Sequence, residues 1–133
     1  MATGTAATAA RQYHQQMVHY CRKTVTFEDS GAVTVGILPA GAVIVPDLSY
    51  VVVTTAFNAG TTNTVHVGSS ADNDLYATAL AAGSIASVKF DEMSASNLLS
   101  ADTTITATYN QTGTAATAGS AEVVVAYIPD NDG

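Results

Sequence analysis

The chain has 133 residues and a mass of 13.5 kDa, enough for one domain and too little for two. Only 11 % of residues are charged although 47 % are hydrophobic, and 24 Ala with 19 Thr make up about a third of the chain. Such a surface must be covered by Thr, Ser, Asn and small apolar groups, which suits a protein lying against neighbours better than a free cytosolic enzyme. The supply of Val, Ile and Tyr and a net charge of only −7 exclude disorder.

One Cys excludes an internal disulfide framework and a cysteine-rich zinc site, and fits a reducing compartment. Residues 1–10 lack the basic and apolar regions of a secretory signal. The longest apolar stretch, Gly31 to Val45, is too short to span a bilayer and is broken by Pro39. Charge is unevenly placed: residues 1–23 carry +3 through Arg11, Arg22 and Lys23, and residues 24–133 carry −10. The acidic part repels nucleic acid and anionic membrane, so neither is expected as a partner. The expected organisation is a basic N-terminal arm over 1–23 and a folded domain over 24–133.

In chain order, Tyr13, Met17 and Tyr20 fall at helical spacing, in a segment too short to decide between a helix and an extended arm. From Thr24 the pattern has period two. Thr24–Glu28 predicts a strand with Val25 and Phe27 on one side, followed by a turn at Asp29–Gly31. Val33, Val35 and Ile37 start the next strand, and Leu38-Pro39-Ala40-Gly41 reads as a type I turn. Strands are predicted at 42–45 and 48–55, with Pro46 marking a bulge, an edge or a break. Another follows at 62–68, after the loop Asn58–Gly60. Asp72 as a cap, acids in the first turn and Gly83 at the stop predict a short helix near 73–82. Strands resume at 85–90, 103–109 and 122–128, with 111–121 as a flexible loop. Residues 122–128 are apolar on both faces, which predicts a central strand and makes Val124→Asp severely destabilising. The sum is an all-β fold, an antiparallel jelly roll or β-sandwich of about eight strands with one short helix.

Chemistry-bearing clusters are weak. His14, His19 and Cys21 converge on no single ion in either helix or strand, and no fourth ligand is in view. Asp72-Asn73-Asp74 resembles the start of a calcium loop but lacks its sixth-position Gly and twelfth-position Glu. His66 with Ser69 and Ser70 has no nucleophile elbow, and Asp91-Glu92 has no acid placed opposite. There is no phosphate loop, dinucleotide fingerprint or base-stacking platform. No enzyme, cofactor or metal is expected.

Three runs carry a family resemblance: Ile37-Leu-Pro-Ala-Gly-Ala-Val-Ile-Val45, Val53-Thr-Thr-Ala-Phe-Asn-Ala-Gly-Thr-Thr-Asn-Thr-Val-His-Val-Gly68 and Ala71-Asp-Asn-Asp-Leu-Tyr-Ala77. Over about residues 24–128 the chain resembles the small jelly-roll cement or decoration proteins of tailed bacteriophages, such as that of a short-tailed Bordetella phage. The resemblance implies a homo-oligomer, dimer or trimer, made in the host cytoplasm and bound to the capsid exterior. There it would hold adjacent major capsid protein subunits together. Contact residues expected on this reading are Arg11, Tyr13, His14 and Arg22 from the arm, with the loop from Asn58 to Asn63 as a second set. Similar segments occur in phage fibre modules, so a receptor- or glycan-binding module of a tail fibre or tip is the alternative. A metal-dependent hydrolase, the third class, would require bound zinc or iron.

Overall fold

Alternating side chains over most of the chain build nine strands and no α-helix among the residues that the computed structural model describes, 18–29, 31–91 and 97–129. The strands are β1 (His19–Thr26), β2 (Ala32–Leu38), β3 (Val43–Ile44), β4 (Tyr50–Thr55), β5 (Thr62–Ser69), β6 (Ala77–Ala81), β7 (Ala86–Lys89), β8 (Thr103–Thr112) and β9 (Ser120–Ile128). A 3-10 turn at Pro46–Leu48 joins β3 to β4. One sheet runs β1-β9-β4-β7, with β3 also paired to β9, and the other runs β2-β8-β5-β6. Leaving aside the two-residue β3, the first strand pairs with the last, the second with the next to last, and so inward to β5 and β6. This is a long hairpin rolled up on itself, the antiparallel jelly roll that the alternation predicts.

The core lies between the sheets. Val25, Val51, Val53, Val123 and Val125 enter it from the first sheet. Val65, Val67, Ile105, Ala107 and Leu80 meet them from the second. Burying one such valine contributes about 1.5–3 kcal/mol. Phe57, 2 % exposed, packs against the Tyr109 ring at a centroid distance of 4.3 Å and closes one end. β9 is central, flanked by β1 on one side and by β3 and β4 on the other. Only its odd positions reach the core, however. Val124 is half-buried on the outer face, so the expected severe effect belongs to Val125.

Four expectations are corrected. No helix forms near 73–82. Asp72 and Ser69 close a turn through Ser69 N–H to Asp72 O (2.8 Å) and Asp72 N–H to Ser69 O (3.2 Å), and Ala77–Ala81 then pairs with β5. Alanine-rich helix propensity is worth tenths of a kcal/mol per residue, less than the burial of Tyr76, Ala77, Leu80 and Ala82 against the sheet. The proline turn spans Pro39–Ala42, one residue later than expected, with Gly41 at its third position (φ +87°). Residues 113–119 are not free: Gly60 N–H donates to Thr114 O (2.8 Å), and Asn58 Oδ1 accepts the N–H groups of Thr117 and Ala118. The first sheet begins at His19, so the boundary drawn at residue 23 falls inside β1. Pro46 does break the strand, and the strands number nine where about eight were expected.

Candidate interaction surface

Period two leaves the even-numbered residues of β1, β9 and β4 on the outside of the first sheet, and register arranges them in rows. Val43 pairs with both Ile128 and Leu98, and Val18 lies one step beyond the His19–Tyr127 pair. Val18, Ile128, Val43 and Leu98 therefore extend across the sheet as an aliphatic row, exposed by 47, 44, 38 and 61 %. Tyr20, 62 % exposed, and Ala126 form the next row, beside Leu48 at the end of the 3-10 turn (51 %). Then come Arg22, Val124, Tyr50 and Lys89, and after them Thr24, Glu122, Val52 and Ser87. The 3-10 turn and β1 stand either side of a hollow of about 540 Å³ floored by Val124, Ala126 and Val52. Six of the eight large hydrophobic side chains exposed among the described residues lie on this face. Their signal in the sequence is the apolar second parity of β9: Val124, Ala126 and Ile128 are surplus to the core.

Ionic groups sit in the middle of the face. Arg22 donates from Nε (3.0 Å) and Nη2 (2.8 Å) to Glu122 Oε1, and the Thr24 hydroxyl donates to Glu122 Oε2. The Thr24 hydroxyl and the Arg22 guanidinium hold the Glu122 carboxyl below its ordinary value, and Glu122 in turn raises that of Arg22. Lys89 Nζ lies 3.9 Å from Asp47 Oδ1 at the rim, both well exposed. Beneath the hinge between the 3-10 turn and β4, the buried Ser49 hydroxyl donates to Val45 O (2.8 Å) and accepts Ala126 N–H (2.9 Å).

On the outer face of the second sheet several polar groups are engaged within the fold, although the buried Thr108 hydroxyl has no partner. The Ser69–Tyr76 segment folds over Gly68, where a Cβ would overlap the Asp72 carbonyl oxygen and the Asn73 backbone. The Thr106 hydroxyl donates to Ser69 O (3.3 Å). His66 faces away from Val65 and Val67, as its parity requires, and its Nδ1 accepts Ala79 N–H (3.2 Å) while its Nε2 contacts Asn110 Nδ2 (3.0 Å). This holds Ala79 at φ +54° in the bulge of β6, a structural task for the histidine. A hydrogen bond to Asp72 raises the Asp74 carboxyl above its ordinary value.

The residues singled out in the sequence do not assemble into one site. Arg22 is on the open face. Asn63 instead braces its own loop, its Oδ1 accepting Ala59 N–H (2.9 Å) and the Tyr109 hydroxyl (2.7 Å) and its Nδ2 donating to Ala59 O (3.1 Å). Asn58 is exposed but bonded to Thr117 and Ala118. Arg11, Tyr13 and His14 lie outside the described residues. His19 stacks on Tyr127 with centroids 5.8 Å apart. Burial raises the Cys21 thiol above its ordinary value, which suits a packed residue better than a nucleophile. Asp91 Oδ1 accepts Thr78 N–H (3.1 Å). Among the described residues no three His, Cys, Asp or Glu side chains are grouped to hold a metal, and no helix is long and apolar enough to cross a membrane.

No family model and no curated protein matches the chain. Among solved structures it is similar to a chain of the cyanophage Pam1 capsid asymmetric unit, with a TM-score of 0.67 and 22 % identity over 97 % of both chains. At this identity the likeness is one of fold.

Proposed function

We propose that the protein is a structural component of a tailed-phage virion that binds the capsid exterior and stabilises it by bridging major capsid protein subunits. The observation that carries this reading is the end-to-end likeness of fold to a chain of a phage capsid asymmetric unit. A cement role also fits the broad apolar face and the low charge, because bridging needs contact area where an enzyme needs a pocket. Many copies on one particle allow each interface to be modest. On this reading Arg22 contacts the capsid directly, Arg11, Tyr13 and His14 do so from the N-terminal segment, and Asn58 and Asn63 act by shaping their loop. The protein works as a dimer or trimer, with neither nucleic acid nor membrane as partner and no catalysis.

The test is co-sedimentation with mature capsids lacking this protein, followed by heating. Saturable binding that raises the temperature of DNA release is expected. Absence of binding to capsids overturns the reading. A second reading, a glycan-binding tail module, is favoured by Tyr20 and Tyr50 lining one hollow. It predicts binding to host-surface glycans in place of capsids.

A further inference from the structure

We propose that the outer face of the β1-β9-β4-β7 sheet is the side that meets the capsid, and that it takes an apolar protein surface rimmed by carboxylates. The inference rests on the capsid reading above and specifies the face and the partner's chemistry. Contiguous exposed apolar surface is costly in water, and on a soluble domain it marks a contact site. Here Val18, Ile128, Val43 and Leu98 form an unbroken row, and Tyr20 and Leu48 extend it toward the hollow. The opposite outer face has no comparable row: Ile37, paired with Thr104, is an isolated exposed aliphatic there, beside outward positions held by Thr34, Thr106, Thr108 and His66.

Charge favours an acidic occupant here over the rest of the surface. Of the three Lys and Arg residues among the described ones, Arg22 and Lys89 project from this face, where Glu122 and Asp47 pair with them, and Lys23 lies on the edge strand β1. In a chain of net charge −7, this is the face an acidic surface approaches with least repulsion. The loops of the second sheet carry Asp72, Asp74 and Asp102 without a Lys or Arg on β2, β5, β6 or β8. The edges of this sheet are poor alternatives for docking: β1 carries Arg22 and Lys23, and β7 is four residues long and ends in Lys89.

The experiment measures binding of the full chain to capsids lacking it, for the unsubstituted protein and for Tyr20→Glu, Leu98→Glu, Lys89→Glu and Thr34→Glu. Each replaced side chain is exposed, so all four variants should melt like the parent. Tyr20→Glu and Leu98→Glu are expected to weaken binding about tenfold or more. Lys89→Glu should weaken it severalfold and flatten its salt dependence, and Thr34→Glu should leave it unchanged. If the parent binds but only Thr34→Glu is impaired, the face is wrong while the capsid reading stands. If Tyr20→Glu and Leu98→Glu dissociate a homo-oligomer, or abolish glycan binding, with capsid binding intact, the occupant is a second copy or a sugar and the proposal is overturned. If the parent does not bind capsids, the capsid reading fails and the proposal fails with it.

Discussion

The two sheets share one inner logic and differ on the outside. Both alternate, both put Val, Ile and Ala into the common core, and neither could be told from the other by its buried residues. On the second sheet several outward positions of β5 and β8 are spent on the protein itself: Gly68 lies beneath a folded-over turn, Thr106 bonds to Ser69, and His66 pins β6. On the first they are left unspent, as an aliphatic row, a hollow and an ion-paired strip. In a jelly roll the inward parity sustains the fold, so the outward parity is free to differ between sheets, and that is where a contact surface develops.

Substitutions on the two faces test this contrast. Val125→Asp places an unpaired charge in the core and should cost about 4 kcal/mol or more, enough to abolish cooperative unfolding. Val124→Asp, one residue away on the open face, should cost only about 1 kcal/mol. Equal melting behaviour of the two would remove the distinction between inner and outer parity in β9. On the second sheet, Gly68→Ala forces a Cβ into the Asp72 and Asn73 backbone and should lower stability by about 3 kcal/mol in a urea titration. A near-neutral result would mean that this turn is not packed on the sheet. Ser49→Ala leaves the Ala126 N–H beneath the hollow without its acceptor and should cost about 1–3 kcal/mol.

The smallest effect concerns pH. The Glu122 carboxyl is held below its ordinary value of 4.5, so the folded state binds its proton less tightly than the unfolded chain does. The stability this contributes is complete above that ordinary value and is lost as pH falls through the depressed one. Glu122→Gln should therefore melt slightly below the parent at neutral pH, with the difference closing in acid. A constant difference across that range would place the role of Glu122 in packing alone.

Much of the architecture was legible because alternation reports burial directly. The strands at 33–37, 48–55, 62–68 and 103–109 and the central position of the last strand follow from which parity is apolar. The stretch 73–82 was misread because its capping residues and alanines suit a helix locally, while its true partner, β5, is set by the pairing of Val65 with Leu80 and Val67 with Ala77. The bracing role of Asn63 within its loop is illegible locally for a related reason, because one of its partners, the Tyr109 hydroxyl, is 46 positions away. Arg22 was picked out by charge alone, whereas its neighbours on the open face are aliphatic and carry no local mark of exposure.

By itself the sequence determined the all-β class, the jelly-roll spacing of strands and turns, and the concentration of positive charge near the start of the chain. These are properties of neighbouring residues, and period two and turn chemistry record them. Only the tertiary structure decided that Val18, Ile128, Val43 and Leu98 share one row, because those residues come from four separate segments brought together by strand register. It also decided which sheet would keep its outer face open, since that depends on the Ser69–Tyr76 segment folding back over one sheet while nothing among the described residues folds over the other.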